Sequence, residues 1–139
     1  MMSTNTTKKG YSRFVFINDE RAQLLKTFVP KYSKVIAHHA THEFGVTRDH
    51  AEEDVRTWQG APSFVDVYGY LNSGDGLECL LVQVDGKKHR PDGCAYHITW
   101  SLRPDRYKPV DSNKLIVARN YQPIKSIPIS MVYWWEEFQ

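Results

Sequence analysis

A chain of 139 residues, 41% apolar and 24% charged, has the length of one domain and enough apolar content for a real core. Its net charge of +2 argues against a protein that coats long duplex DNA and suits a small anionic ligand held at a local patch. Cys79 and Cys94 are too few for a secreted disulfide framework, no apolar run reaches the length of a membrane span, and the first residues lack a signal-peptide core, so a cytoplasmic protein without a membrane partner is expected.

Residues 13–17 (RFVFI) are an apolar run of β-formers and predict a buried strand. Asn18 or Asp19 can cap a helix that presents Ala22, Leu24, Leu25 and Phe28, and Pro30 closes it. Residues 33–44 (SKVIAHHATHEF) read as one strand ending at Gly45, and the polar stretch 46–61 fits a short helix or a long loop. Residues 63–71 and 77–84 alternate, and the Asn72-Ser73-Gly74-Asp75-Gly76 segment between them has hairpin chemistry. A basic turn over 85–93 leads into a strand over 94–102 (CAYHITWSL). A loop over 104–109, a short helix capped by Asp111 or Ser112, and a last strand over 124–135 complete the chain. The inventory is mostly β with two or three short helices, in a single domain over 11–139 behind a loose polar segment, 1–10.

The tripeptide His39-Ala40-Thr41 recurs 58 positions later as His97-Ile98-Thr99, each copy within a predicted strand. Chance gives two such strings in only about a few per cent of chains with this His and Thr content. Residues two apart on a strand share a face, so each copy aims an imidazole and a hydroxyl the same way. His39, Thr41 and Glu43 share one side, opposite His38, Ala40 and His42. His97, Thr99 and Ser101 share one side, opposite Tyr96, Ile98 and Trp100, which have the character of core. Such a set suits a phosphodiester. One neutral imidazole can take a proton from an attacking hydroxyl or water, and the other, protonated, can give one to the leaving oxygen. The hydroxyls can donate to the non-bridging oxygens as charge builds there. This chemistry calls for no metal and no cofactor.

The two H-x-T strings, the segment SFVDVYGYLNSGDGLECLLVQV and the run CAYHITWSL together resemble the 2H phosphoesterase superfamily over most of the chain. The resemblance implies an α+β, bilobal fold: two antiparallel sheets forming a central groove, short helices outside, and the motifs facing each other across the groove. It also implies metal-independent cleavage of a 2′,3′-cyclic phosphate RNA end or of a cyclic or 2′-5′ linked oligonucleotide, with His39, Thr41, His97 and Thr99 as the catalytic set. Two features depart from the family pattern. The position after Thr41, usually apolar, is His42, and the spacing between motifs is short.

Around this set, Tyr11 and Arg13 at the first strand, Ser101 beside the second motif and Lys108 after it are the candidate ligand contacts. Lys87, Lys88, His89 and Arg90 in the basic turn could steer a phosphate, and Trp58, Trp134 and Trp135 could stack on bases. The competing reading of HHATHE is a zinc site. On a helix His38 and His42 would share a face, but on a strand they lie roughly 13 Å apart, so no metal ligands are expected. A monomer acting on an RNA end or a small nucleotide is the expected state. The alternatives are a catalytically silent RNA- or nucleotide-binding module on the same scaffold, and a β-rich interaction domain in which both strings are accidental.

Overall fold

The computed structural model describes residues 8–53 and 62–138. Its elements are β1 (Lys9–Phe16), α1 (Glu20–Thr27), β2 (Lys34–Val35), β3 (His39–Thr47), α2 (Arg48–Glu52), β4 (Pro62–Asn72), β5 (Leu77–Val84), β6 (His97–Leu102), a 3₁₀ turn (Pro109–Asp111), α3 (Ser112–Ala118) and β7 (Gln122–Glu137). Lys9 and Gly10, expected in the loose N-terminal segment, already belong to a strand, and residues 1–7 of that segment lie outside the described residues. So do residues 54–61 of the expected polar stretch, with Trp58 among them.

The strands pair antiparallel in the order β6-β3-β1-β7-β4-β5, and β5 pairs back onto β6. The result is a closed six-stranded barrel with β2 attached along β6. This differs from the expected two sheets in two lobes. β6 is hydrogen-bonded on both of its edges, by β3 and by β5, so no break remains along which the sheet could divide. Closure removes free edges and lets every strand turn one face inward. Phe14, Ala40, Val67, Val82, Ile98, Trp100, Met131 and Tyr133 fill the interior, nearly or wholly excluded from solvent. The Trp100 indole also donates to the Phe28 carbonyl at 2.6 Å, tying the end of α1 to the core. On the opposite face of the wall, Leu71, Leu77, Cys79, Leu81 and Leu102 are covered by Leu115 of α3. No helix among the described residues is long and apolar enough to cross a membrane.

The segment expected to be one strand over 33–44 is two, and the interruption shapes the site. Val35 pairs with Ser101 and Ala40 with Ile98, so five steps along this segment face three along β6. The two extra residues are accommodated at Ala37, which takes φ 41°, a left-handed conformation uncommon outside glycine. Three hydrogen bonds hold it there: Ile36 N–H to the Trp100 carbonyl and Ala37 N–H to the Thr99 carbonyl, each 2.9 Å, and Arg21 Nε to the Ala37 carbonyl, 2.7 Å. Because of this bulge His38 does not share the inward face with Ala40 and His42, as simple alternation predicts. It is exposed, beside His39.

Candidate active site

The barrel is narrowly joined where the two motifs meet. Between β3 and β6 the Cα partners are Ala40 and Ile98, the central residues of the two H-x-T strings, and both point into the core. In an antiparallel pair the flanking residues then face each other on the other side of the wall, His39 opposite Thr99 and Thr41 opposite His97. The imidazoles occupy one diagonal of this quartet and the hydroxyls the other, with side-chain origins roughly 7 Å apart along each diagonal. The motifs therefore stand side by side on one outer wall, rather than facing each other from two lobes.

A cavity of about 480 Å³ opens over this quartet, and His39, Thr41, His97 and Thr99 all line it. Tyr11 and Phe44 form an aromatic side, with Phe44 69% exposed beside the opening. Tyr11 lies 5.7 Å from the His39 ring and stacks with Phe138 at 6.2 Å. Arg90 and Asp92 stand on the His97 side, and Val110 and Asn113, from the 3₁₀ turn and α3, close the remaining wall.

The two imidazoles are held differently. His97 Nδ1 lies 2.9 Å from the Ala95 carbonyl, an acceptor only, so Nδ1 carries the proton and Nε2 presents a lone pair when the ring is neutral. Burial lowers the His97 pKa, opposed by that carbonyl bond; Arg90 lowers it further and Asp92 raises it. His39 Nδ1 instead lies 3.0 Å from His38 Nδ1. Burial first, then His38, Arg13 and His97 as neighbouring positive charges, bring His39 down to about 4. The hydroxyls differ as well. Thr99 Oγ1 donates to the Pro109 carbonyl at 3.2 Å and shares a 2.9 Å bond with Ser112 Oγ, whereas the Thr41 hydroxyl, on a residue paired with Arg13 through the strand ladder, has no hydrogen-bond partner among the described residues.

Of the other sequence candidates, Tyr11 lines the cavity and three do not. Arg13 is the cross-strand neighbour of Thr41, but its guanidinium is turned to the Tyr11 hydroxyl and to Glu136 at 2.7 Å, so it reaches the histidines by charge alone. Ser101 is fully buried and donates to Glu78, a carboxylate that also accepts from Tyr70 Oη at 2.6 Å and Lys31 N at 2.8 Å. Lys108 is exposed and bonds Asp111 Oδ2 through its backbone N–H at the start of the 3₁₀ turn. The sequence reading missed Phe44, Asp92, Val110 and Asn113. Alternation puts Phe44 on the face of Ala40 and His42, and only the register shift between β1 and β3 beside Ser12 and Arg13 turns it outward. His42 is inside the barrel, its Nδ1 2.6 Å from Tyr96 Oη and its ring stacked on Tyr96, while His38 is outside, so the i, i+4 zinc pair does not form. Trp134 is partly exposed and Trp135 donates to the Val46 carbonyl at 3.1 Å, and neither lines the cavity. Burial pushes the Cys79 thiol up to about 12.

Comparison with protein-family models, with curated proteins and with solved structures finds no match to this chain.

Proposed function

We propose that this protein is a phosphodiesterase of the two-histidine type, acting on a 2′,3′-cyclic phosphate RNA end or on a cyclic or 2′-5′ linked oligonucleotide. The observation that carries this reading is the Ala40–Ile98 pair, which sets both motifs around one cavity. A phosphate over the quartet would meet His97 Nε2, free to accept the proton of an attacking water. Thr41 would donate to a non-bridging oxygen as charge develops on it. His39 would stand at the leaving oxygen. Tyr11 and Phe44 offer aromatic faces for a base, each such stack contributing about 1–3 kcal/mol. Arg90, bound to Asp92 through Nε at 3.1 Å and Nη2 at 2.5 Å, places a cation beside His97. The likeness of the motifs to the 2H phosphoesterases supports the same chemistry, carried here on a closed barrel.

The second reading, a nucleotide-binding module without turnover, draws on one observation: burial lowers both imidazoles, so neither is a ready cationic acid at neutral pH. One experiment separates the two. EDTA-treated protein is incubated with a 2′,3′-cyclic phosphate RNA, a cyclic dinucleotide and a 2′-5′ oligoadenylate, and the products are resolved by chromatography. Turnover of at least one, undiminished by the chelator, is expected. Binding without product would establish the silent module. Activity that disappears with EDTA and returns with Zn²⁺ or Mn²⁺ would overturn the imidazole mechanism.

A further inference from the structure

His97 rests its Nδ1 on a carbonyl, a partner that can only accept. His39 rests its Nδ1 on another imidazole, 3.0 Å away and exposed to solvent at the Ala37 bulge. Two lone pairs would repel at that distance, so one of the two nitrogens carries a proton and the other accepts it. With His39 Nδ1 engaged, Nε2 is the nitrogen left to the cavity. We propose that His38 is a proton relay, passing its own Nδ1 proton to His39 Nδ1 while His39 Nε2 protonates the leaving oxygen, an assignment that rests on the phosphodiesterase reading of the cavity.

The step balances. At the start His38 is an imidazolium and His39 is neutral, with its proton on Nε2. As the bond from phosphorus to the leaving oxygen breaks, the His39 Nε2 proton goes to that oxygen and the His38 Nδ1 proton moves to His39 Nδ1. Both rings end neutral and the leaving group departs as an alcohol, with no imidazolate formed. His97 Nε2 has meanwhile taken the proton of the attacking water and returns it to solvent. After product leaves, His39 Nε2 takes a proton from water refilling the cavity, and its Nδ1 proton passes back to His38.

This arrangement stores positive charge where hydration is best. Lost solvation penalises a cation on both rings, and it weighs more on covered His39, brought down to about 4, than on the more exposed His38, which burial also lowers. The charged and titratable groups around the pair come from four elements. Arg13 of β1, Arg21 of α1 and His97 of β6 oppose a cation on one or the other ring, and Glu136 of β7 favours one on His38. His38 is thus a relay and positioning residue, acting on substrate through His39.

The test uses two diesters that differ in their need for an acid. Uridine 2′,3′-cyclic phosphate expels a ribose alkoxide and needs a proton, whereas thymidine 5′-(p-nitrophenyl) phosphate expels nitrophenolate and does not. His38→Gln is the variant, because its amide can still donate to His39 Nδ1 yet cannot relay a proton. Its kcat on the cyclic phosphate should fall about 10- to 100-fold at little change in KM, with the nitrophenyl ester within about threefold of wild type. Imidazole added to His38→Ala should restore part of the cyclic phosphate rate. Equal losses on both substrates, or no loss on either, would overturn the relay and leave the phosphodiesterase standing. A wild-type protein that cleaves neither diester, nor the cyclic phosphate RNA, cyclic dinucleotide or 2′-5′ oligoadenylate, would remove the phosphodiesterase reading and the relay together.

Discussion

Thr41 and Thr99 occupy equivalent places in the repeated motif, but their hydroxyls are not in equivalent states. A threonine hydroxyl has one proton to give. Thr99 commits its proton to the Pro109 carbonyl and its oxygen to Ser112, so it holds the 3₁₀ turn and α3 against the wall. Thr41 keeps its proton for whatever enters the cavity. The two therefore separate by assay. Thr41→Val should lower kcat by about 10- to 100-fold and leave stability nearly unchanged, because it removes a donor used only when charge develops on the phosphate. Thr99→Val should cost about 1–3 kcal/mol in urea denaturation, since it leaves a buried carbonyl and hydroxyl without their partner. Equal kinetic losses without loss of stability would return the two hydroxyls to equivalent roles.

Among the elements, β1 is the strand on which the site side leans, because it carries Tyr11 and Arg13 and bonds both β3 and β7. Its close approach to β7 depends on Gly10, where an added Cβ would stand 2.0 Å from the Glu136 carbonyl oxygen and 2.8 Å from Glu137 Cα. Those are backbone atoms in a paired strand and cannot step aside. Gly69 on β4 looks similar, with a would-be contact of 2.6 Å, but the neighbour is the Tyr121 ring, a side chain 39% exposed and free to swing away. Gly10→Ala should therefore destabilise by about 2–4 kcal/mol and Gly69→Ala by about 1 kcal/mol or less. Thermal unfolding of the two variants measures the difference. A Gly10→Ala protein as stable as Gly69→Ala would mean that β1 and β7 are not held this tightly.

At the scale of the whole molecule, closing the barrel places His39 and His97 where the neutral ring is preferred, and stability must follow pH accordingly. His39 titrates at about 4 when folded and near 6.5 when unfolded, so between those values the unfolded chain binds the extra proton. Stability from this residue is fully present above pH 6.5 and is lost as pH falls toward 4. His38 and His97 shift in the same direction and add to the loss. Asp92, held at about 2 chiefly by its bonds with Arg90, contributes only in a lower window, below the ordinary carboxylate range. Wild-type protein should lose about 2 kcal/mol between pH 7.5 and 5 through His39, and His39→Gln should lose that much less. Urea titrations at the two pH values decide it, and stability that is flat or rises on acidification would show that the cavity does not desolvate these rings.

Most of the strands, the short helices and the polar face carrying His39, Thr41, His97 and Thr99 were legible in the sequence, although the segment 33–44, read as one strand, is two. Alternation of apolar and polar residues is local, and it set Tyr96, Ile98 and Trp100 as core opposite His97 and Thr99, and Ala40 opposite His39 and Thr41. What that pattern does not contain is which strands pair. Closure by β5 onto β6, in place of two lobes, follows from hydrogen bonding between segments some twenty residues apart. Ser101 looked equivalent to Thr99 along its strand, yet the register of β5 beside it sets it against Glu78 and buries it. His38 looked inward by alternation, and only the mismatch of five steps against three beside β6 turns it out to meet His39. Face assignment depends on the period of one strand. The site depends on the register between strands, which is fixed when the barrel closes on a single packed core.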